Sequence, residues 1–206
     1  MNIRRPTTYI SRSTLGLLAL AINVMPASVY AHDDHALTAS SQQHVAAYDP
    51  KKGGELVKLV REVTARYRDA RAAIADNYNL LFGCVSGSEW GAMGLHYVNL
   101  DLVGDGKLDP TRPEIVIYEP LPNGGRRLIG ADYLVYAKDW HAANGPGTPQ
   151  INGQLMHLIE SPNRYGLEAF YTLHVWAWKD NPQGAFTNWH ANVSCNAFDQ
   201  QPGTAQ

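Results

Sequence analysis

From Cys84 onward the chain consists of short runs rich in Val, Ile, Tyr and Trp, separated by Gly, Pro and Asn. Runs of this kind are typical of β-strands joined by turns. The predicted strands are 93–100, 114–119, 127–136 and 169–178, with a weaker one at 155–159. Asn123-Gly124-Gly125 is the best candidate for a hairpin turn. Because strands do not alternate with helices as in an α/β fold, we expect a mostly antiparallel sheet.

One helical pattern precedes these strands. Apolar residues recur at spacings of three and four from Leu56 to Ile74, while the basic residues lie mostly off that stripe. This spacing predicts an amphipathic helix of about 25 residues that starts near Glu55. We expect it to pack on a curved sheet or small barrel of four to five strands. The fold class is therefore predicted to be α+β.

The N-terminal residues resemble an export signal. Arg4, Arg5 and Arg12 precede the apolar run 15–24, which is shorter than the about 20 residues needed to span a bilayer as a helix. The small residues before position 32 predict cleavage after Ala31. Residues 1–31 are thus predicted to be a signal peptide; the Arg pair also suggests twin-arginine export, but Pro6 directly after it disfavours that route.

The remainder is predicted to comprise a flexible arm at 32–54, one domain at 55–196 and a disordered tail at 197–206. No second apolar stretch of about 18 residues occurs, so we expect a periplasmic or secreted protein without a transmembrane anchor. The 206 residues include 17 basic and 19 acidic residues, a formal net charge of −2. That balance disfavours nucleic acid as a partner.

The chain contains two cysteines, Cys84 and Cys195, both in the predicted mature part. In an oxidising compartment a lone pair of this kind is expected to form a disulfide. The alternatives are thiolate metal ligands or a catalytic thiol. Neither cysteine belongs to a CxxC pattern, which disfavours both alternatives.

Three segments carry a family resemblance: GAMGLHYVN at 91–99, PEIVIYEP at 113–120 and LHVWAWKDNP at 173–182. With these motifs the chain resembles a group of uncharacterised secreted bacterial proteins, over roughly residues 66–195. The resemblance implies a single exported domain. It implies no established activity and no catalytic residue.

Two histidines within predicted strands are the main candidates for chemistry. His96 has the parity of Val98, and His174 that of Trp176, so both side chains are expected to point into packed surroundings. A buried imidazole must be hydrogen-bonded or ligated, and two on one small sheet can converge. His157 is a candidate third ligand, and Glu119 a ligand or an orienting carboxylate.

These residues predict a pocket that binds a small ligand or a divalent metal ion, zinc or copper, and that supports metal-assisted hydrolysis or oxidation if the protein is an enzyme. No HExxH, HxH or facial-triad spacing occurs, so the sequence leaves the enzyme question open. The alternative is a non-catalytic periplasmic or secreted binding or structural protein. In it both histidines are buried structural residues bonded to a carbonyl or carboxylate.

Three further patterns remain open. A mature chain starting at His32, with His35 nearby, resembles half of the copper brace of lytic polysaccharide monooxygenases. The segment 101–112 resembles a calcium loop, but Val103 and Arg112 stand where ligands are needed, which favours a turn. Five tryptophans are compatible with an aromatic ligand pocket or with ordinary core packing.

Overall fold

A computed structural model describes residues 50–87 and 89–199. The predicted signal peptide, the cleavage after Ala31, residues 32–49 of the predicted arm and residues 200–206 of the predicted tail lie outside these residues. Within the described ranges no helix is long and apolar enough to cross a membrane.

The described chain contains five α-helices and eight strands. The helices are α1 (Pro50–Thr64), α2 (Ala70–Ala75), α3 (Leu100–Gly104), α4 (Ala137–Asn144) and α5 (Asn196–Asp199), with a 3-10 turn at Ala65–Arg68. The strands are β1 (Tyr78–Gly87), β2 (Gly91–Asn99), β3 (Ile115–Pro120), β4 (Arg126–Tyr136), β5 (Gln150–Ile151), β6 (Gln154–Leu155), β7 (His157–Ile159) and β8 (Phe170–Val175).

Six strands form one curled antiparallel sheet in the order β1-β2-β3-β4-β8-β7, while β5 and β6 form a separate two-stranded ribbon. The curved antiparallel sheet and its combination with helices are as predicted from the sequence. The predicted number of four to five strands was wrong, because β1 was not recognised. A β-bulge interrupts β1 between Leu81 and Cys84, and this bulge breaks the alternation that marks a strand.

The prediction of a single long helix was also wrong. After α1 the chain tightens into the 3-10 turn, and Asp69 then adopts an extended conformation. The Asp69 carboxylate accepts a hydrogen bond of 3.0 Å from the Arg71 N–H and caps α2. Tyr67 and Ala73 on either side of this break pack into the same cluster, so the apolar spacing continues across it. That continuity is why the pattern predicts one helix.

Helix α1 covers one face of the sheet. Leu56 and Val60 are fully buried in one cluster with Tyr133, Val135 and Leu173. The Trp178 indole N–H also donates to the Thr64 hydroxyl at 2.9 Å. Alternate residues of β4 therefore face α1, while Asp132 and Leu134 face the opposite side of the sheet.

A disulfide lies on the face of the sheet opposite α1. Cys84 in β1 is bonded to Cys195, 111 residues later, as expected from the sequence. Cys195 is buried among apolar side chains of that face, including Ile117 and Trp176. The bond ties the end of the described chain to the first strand.

Two short helices, α4 and α5, were not predicted from the sequence. Helix α4 ends where Gly145 takes a positive φ of 79° before Pro146. Helix α5 begins at Asn196, the last residue of the predicted domain, and continues into the predicted tail. Neither segment lines the candidate site described below.

Replacing Gly94 with Ala is expected to destabilise the domain by on the order of 3 kcal/mol. Gly94 has a φ of +99°, and an added Cβ would lie 2.6 Å from the Tyr118 carbonyl oxygen. Urea unfolding followed by tryptophan fluorescence measures the change. Gly104→Ala is the matched control, because an added Cβ meets no atom within 4 Å there. Equal stability of the two variants would contradict this account of β2.

Candidate metal centre

Three buried side chains converge on the sheet face opposite α1. His96 lies on β2, Asp132 on β4 and His174 on β8, and their exposed fractions are 6%, 3% and 3%. Asp132 and His174 are direct cross-strand partners, so their side chains share one face. One potential ligand atom from each residue lies within 4.8 Å of the others. Within residues 50–87 and 89–199 no other group of three such residues does so.

The His96 ring is oriented by the main chain. Its Nδ1 lies 3.1 Å from the Gly94 carbonyl oxygen. A carbonyl oxygen only accepts, so the neutral ring carries its proton on Nδ1 and has its lone pair on Nε2. A second ring nitrogen held in this way is a common feature of histidines that ligate metals.

His174 has no hydrogen bond. Both of its ring nitrogens are buried without a partner, although Nδ1 lies 3.4 Å from Asp132 Oδ2. The His174 Nδ1 and Asp132 Oδ2 atoms are close, but their geometry is not that of a hydrogen bond. The His96 and His174 ring centroids lie 5.7 Å apart at an interplanar angle of 72°. A buried polar group without a partner costs about 1–3 kcal/mol, so His174 requires a ligand or another role.

The Asp132 carboxylate is fixed by β8. The Thr172 hydroxyl donates to Oδ1 at 2.7 Å and approaches Oδ2 at 2.8 Å, and the Leu173 N–H donates to Oδ1 at 3.0 Å. These contacts leave lone pairs of Oδ2 on the side of His174. The carboxylate is therefore held in one orientation before any ligand arrives.

Burial controls the charges of the three groups. Burial lowers the pKa of His96 to about 4, helped by the nearby His174, and lowers the pKa of His174 to about 3. Burial raises the pKa of Asp132 to about 6, against the hydrogen bond from Thr172. Near pH 7 both imidazoles are neutral and the carboxylate is ionised, which are the forms that bind metal ions.

A small cavity adjoins these groups. Its volume is about 40 Å³, more than the about 10–15 Å³ that one water requires. His96, Asp132 and His174 line it together with mostly apolar side chains. Phe82, which is 45% exposed, also lines it. An ion held by the three donors would therefore keep open positions facing an apolar space.

Glu119 lies outside this group. Its carboxylate pairs with Arg127 at 2.5 Å and with Lys179 at 2.7 Å. Burial opposes ionisation of Glu119, but these two cations hold its pKa below the ordinary value. Both oxygens are thus engaged in ion pairs, and the structure gives no support to the predicted role of Glu119 as a ligand.

His157 also lies outside the group but close to it. It is exposed on β7 and pairs across the strands with Thr172, on the face that carries Asp132 and His174. A positive charge on His157 would lower the pKa values of His174 and Asp132. His157 is therefore placed at the margin of the site rather than within the group of donors.

The remaining sequence candidates are placed apart from these donors. In the calcium-like segment Asp101 lies in α3, and Asp109 accepts hydrogen bonds from Thr111. Cys84 and Cys195 are joined to each other, so neither offers a thiolate. His32 and His35 lie outside the described residues.

Sequence reasoning missed Asp132. A detectable signal was present, because Asp132 stands alone in the otherwise apolar stretch of β4 from Leu128 to Val135. Acidic residues are almost never fully buried unless paired, so an acid in such a run predicts a partner. Asn188, which lines the same cavity, carries no comparable signal, because it lies in an irregular segment.

Glu114 is a second buried carboxyl, separate from the three donors. It is 2% exposed and accepts a hydrogen bond of 3.1 Å from the Leu134 N–H. Burial raises its pKa from 4.5 to about 8, and the charges of Asp132 and Asp105 act in the same direction. Glu114 is therefore mostly a neutral acid near pH 7.

Glu114→Gln should change how stability depends on pH. Between pH 4.5 and about 8 the unfolded chain has lost the Glu114 proton while the folded chain retains it, so wild-type stability falls as pH rises. The variant has no proton at this position to lose. Its free energy of unfolding relative to that of the wild type should therefore rise by up to about 1.4 kcal/mol for each pH unit in this range. Urea unfolding at several pH values measures this. The exposed Glu62→Gln variant should show no such trend, and parallel curves for E114Q and wild type would contradict the assignment.

No protein-family model matches the chain, no curated protein matches its sequence, and no solved structure matches its fold. The resemblance to secreted bacterial proteins therefore stays a prediction. The function has to be argued from the site itself.

Proposed function

We propose that this protein binds one divalent transition-metal ion through His96, Asp132 and His174. The observation that carries the proposal is the buried His174 ring, which has no hydrogen-bond partner at either nitrogen. A metal ion would satisfy one of those nitrogens. It would also use the free lone pair of His96 and the fixed carboxylate of Asp132.

The donor set is compatible with zinc or copper. Two imidazoles and one carboxylate suit first-row ions of intermediate softness, and the described residues contain no free cysteine that would favour a softer site. Three protein ligands are the number found in catalytic zinc sites, whereas structural zinc sites usually have four. The open positions facing the cavity support metal-assisted hydrolysis or oxidation as the reaction class.

The alternative is a non-catalytic exported protein in which both histidines are structural. The surroundings of His96 agree with this alternative better than those of His174 do. A structural imidazole is expected to hydrogen-bond to a carbonyl or carboxylate. His96 has such a bond to Gly94, but His174 has none. This difference favours the metal site.

Export remains part of the proposal. The disulfide is typical of an oxidising compartment, and the basic and apolar pattern of residues 1–31 resembles a signal peptide. N-terminal sequencing of the protein recovered from the periplasm or medium should begin at His32. Recovery of a reduced protein with Met1 intact from the cytoplasm would contradict export.

Elemental analysis of the untagged mature protein tests the metal site. We expect one zinc or copper ion per chain, retained after dialysis. A variant with His32 and His35 both replaced by Ala should bind the same amount, because those residues are not part of the proposed site. Loss of the metal from that variant would favour the copper-brace resemblance instead, and no bound metal in either protein would overturn the proposal.

A further inference from the structure

The size of the cavity beside the three donors limits what reaches a bound ion. One water requires about 10–15 Å³ of such a volume, so a cavity of about 40 Å³ has room for about three waters. An ion held by His96, Asp132 and His174 has a smaller radius than a water and takes no more than one of these places. The space that remains corresponds to about two water-sized groups, which is the size of a diatomic molecule.

Larger substrates have no room beside such an ion. Metal-assisted hydrolysis of an ester or a peptide requires the carbonyl oxygen of the substrate to reach the ion together with the groups on both sides of the scissile bond. The cavity wall includes the buried side chains of Leu134 and Phe170, which are only 7% and 4% exposed. Of the two proposed reaction classes, the cavity therefore favours oxidation, in which a molecule of two atoms serves as the partner of the ion.

The wall beyond the donors is mostly apolar. Its further polar groups belong to Thr172, Asn188 and Tyr165. The Thr172 hydroxyl donates to Asp132, and the Tyr165 hydroxyl makes a weak contact of 3.6 Å with the Met93 sulfur. A buried water needs about two to four polar partners, whereas apolar cavities take up apolar molecules. An uncharged diatomic molecule is therefore favoured over water or an anion in this space.

We infer that the open position of the bound ion takes a neutral diatomic gas of the dioxygen type and excludes larger organic molecules. The inference rests on the proposed metal site. It favours copper over zinc as the ion, because zinc has no redox chemistry with which to bind such a gas. The three donors then hold the ion, and the apolar wall determines the size of its ligand.

Carbon monoxide and isopropyl isocyanide test the size limit, because both bind copper(I) through a carbon atom and differ in bulk. The mature protein is loaded with copper(I) from its acetonitrile complex without thiols, so that the disulfide stays intact. We expect carbon monoxide to give one saturable C–O stretching band in the infrared spectrum, with one molecule bound per copper. Isopropyl isocyanide at the same concentration should give no band of a copper-bound isocyanide.

Leu134→Ala enlarges the cavity, because it removes a group of the size of isopropyl from the wall. This variant should bind isopropyl isocyanide at least about tenfold more tightly than the wild type does and should still bind carbon monoxide. Leu128→Ala is the matched control, since Leu128 lies on the same strand and is 4% exposed but belongs to a different cluster. Ile159→Ala, on the outer strand β7, enlarges the same cavity and provides a second test where Leu134→Ala does not fold.

The possible outcomes separate this inference from the metal site. If copper(I) binds but carbon monoxide gives no band, the ligand class is wrong and the metal site stands. The same holds if the wild type or Leu128→Ala binds isopropyl isocyanide as tightly as the enlarged variants do, or if zinc binds and copper(I) does not. If neither ion binds, both proposals are overturned.

Discussion

We expect His174→Leu to abolish high-affinity metal binding and to leave the metal-free domain at least as stable as the wild type. The metal affinity should fall more than the roughly 10–100-fold that follows loss of an outer hydrogen-bond partner, because a direct ligand is removed. The stability of the metal-free protein should not fall, since Leu replaces two buried nitrogens that have no hydrogen bonds. Zinc titration and urea unfolding of the metal-free proteins measure the two effects.

Loss of metal affinity without loss of stability distinguishes a metal ligand from a structural histidine. If His174 were held by hydrogen bonds in solution, replacing it with Leu would destabilise the domain. His96→Leu provides the comparison, because it should lose metal affinity and also the hydrogen bond to Gly94, worth about 1 kcal/mol. His141→Ala, on the exposed surface of α4, should retain full affinity. Tight metal binding by His174→Leu would refute the site.

Removing the disulfide should cost the domain about 4–5 kcal/mol of stability. The bond closes a loop across a sequence separation of 111 residues, and a loop of that length loses much chain entropy in the unfolded state. The Cys84→Ala and Cys195→Ala double variant should therefore unfold at a much lower urea concentration. Circular dichroism and tryptophan fluorescence should report the same midpoint.

A reducing agent provides the control for that experiment. Reduced wild-type protein should unfold near the midpoint of the double variant, and the variant itself should not respond to the agent. Metal affinity should be unchanged in the variant under native conditions, because neither cysteine is among the three donors. If the double variant is as stable as the oxidised wild type, the bond does not contribute as argued.

The sequence could predict most of the sheet, because local patterns reflect local requirements. Alternating apolar runs mark β2, β3, β4 and β8, since each strand has two faces with different neighbours. The missed strand, β1, contains Phe82 and Gly83, which take positive φ values of 63° and 62° and break that alternation. The helix was predicted too long because the break at Asp69 leaves the apolar spacing intact.

The site could be predicted only in part. Strand parity placed His96 and His174 on buried faces, and the structure brings their rings together. The ion pairs that keep Glu119 out of the site could not be predicted from the sequence, because one of its two partners, Lys179, lies 60 positions away in the chain. Asp132 could have been found from its isolation in an apolar strand, but its pairing with His174 depends on the register between β4 and β8.

The two outer strands of the sheet have a consequence for self-association. An open sheet offers unpaired main-chain groups at its margins, and a long straight margin invites pairing with another molecule. Here one margin is bent by the bulge in β1, and the other consists of the three residues of β7. Neither offers a long regular template, so the margins of the curled sheet do not favour the growth of fibrils.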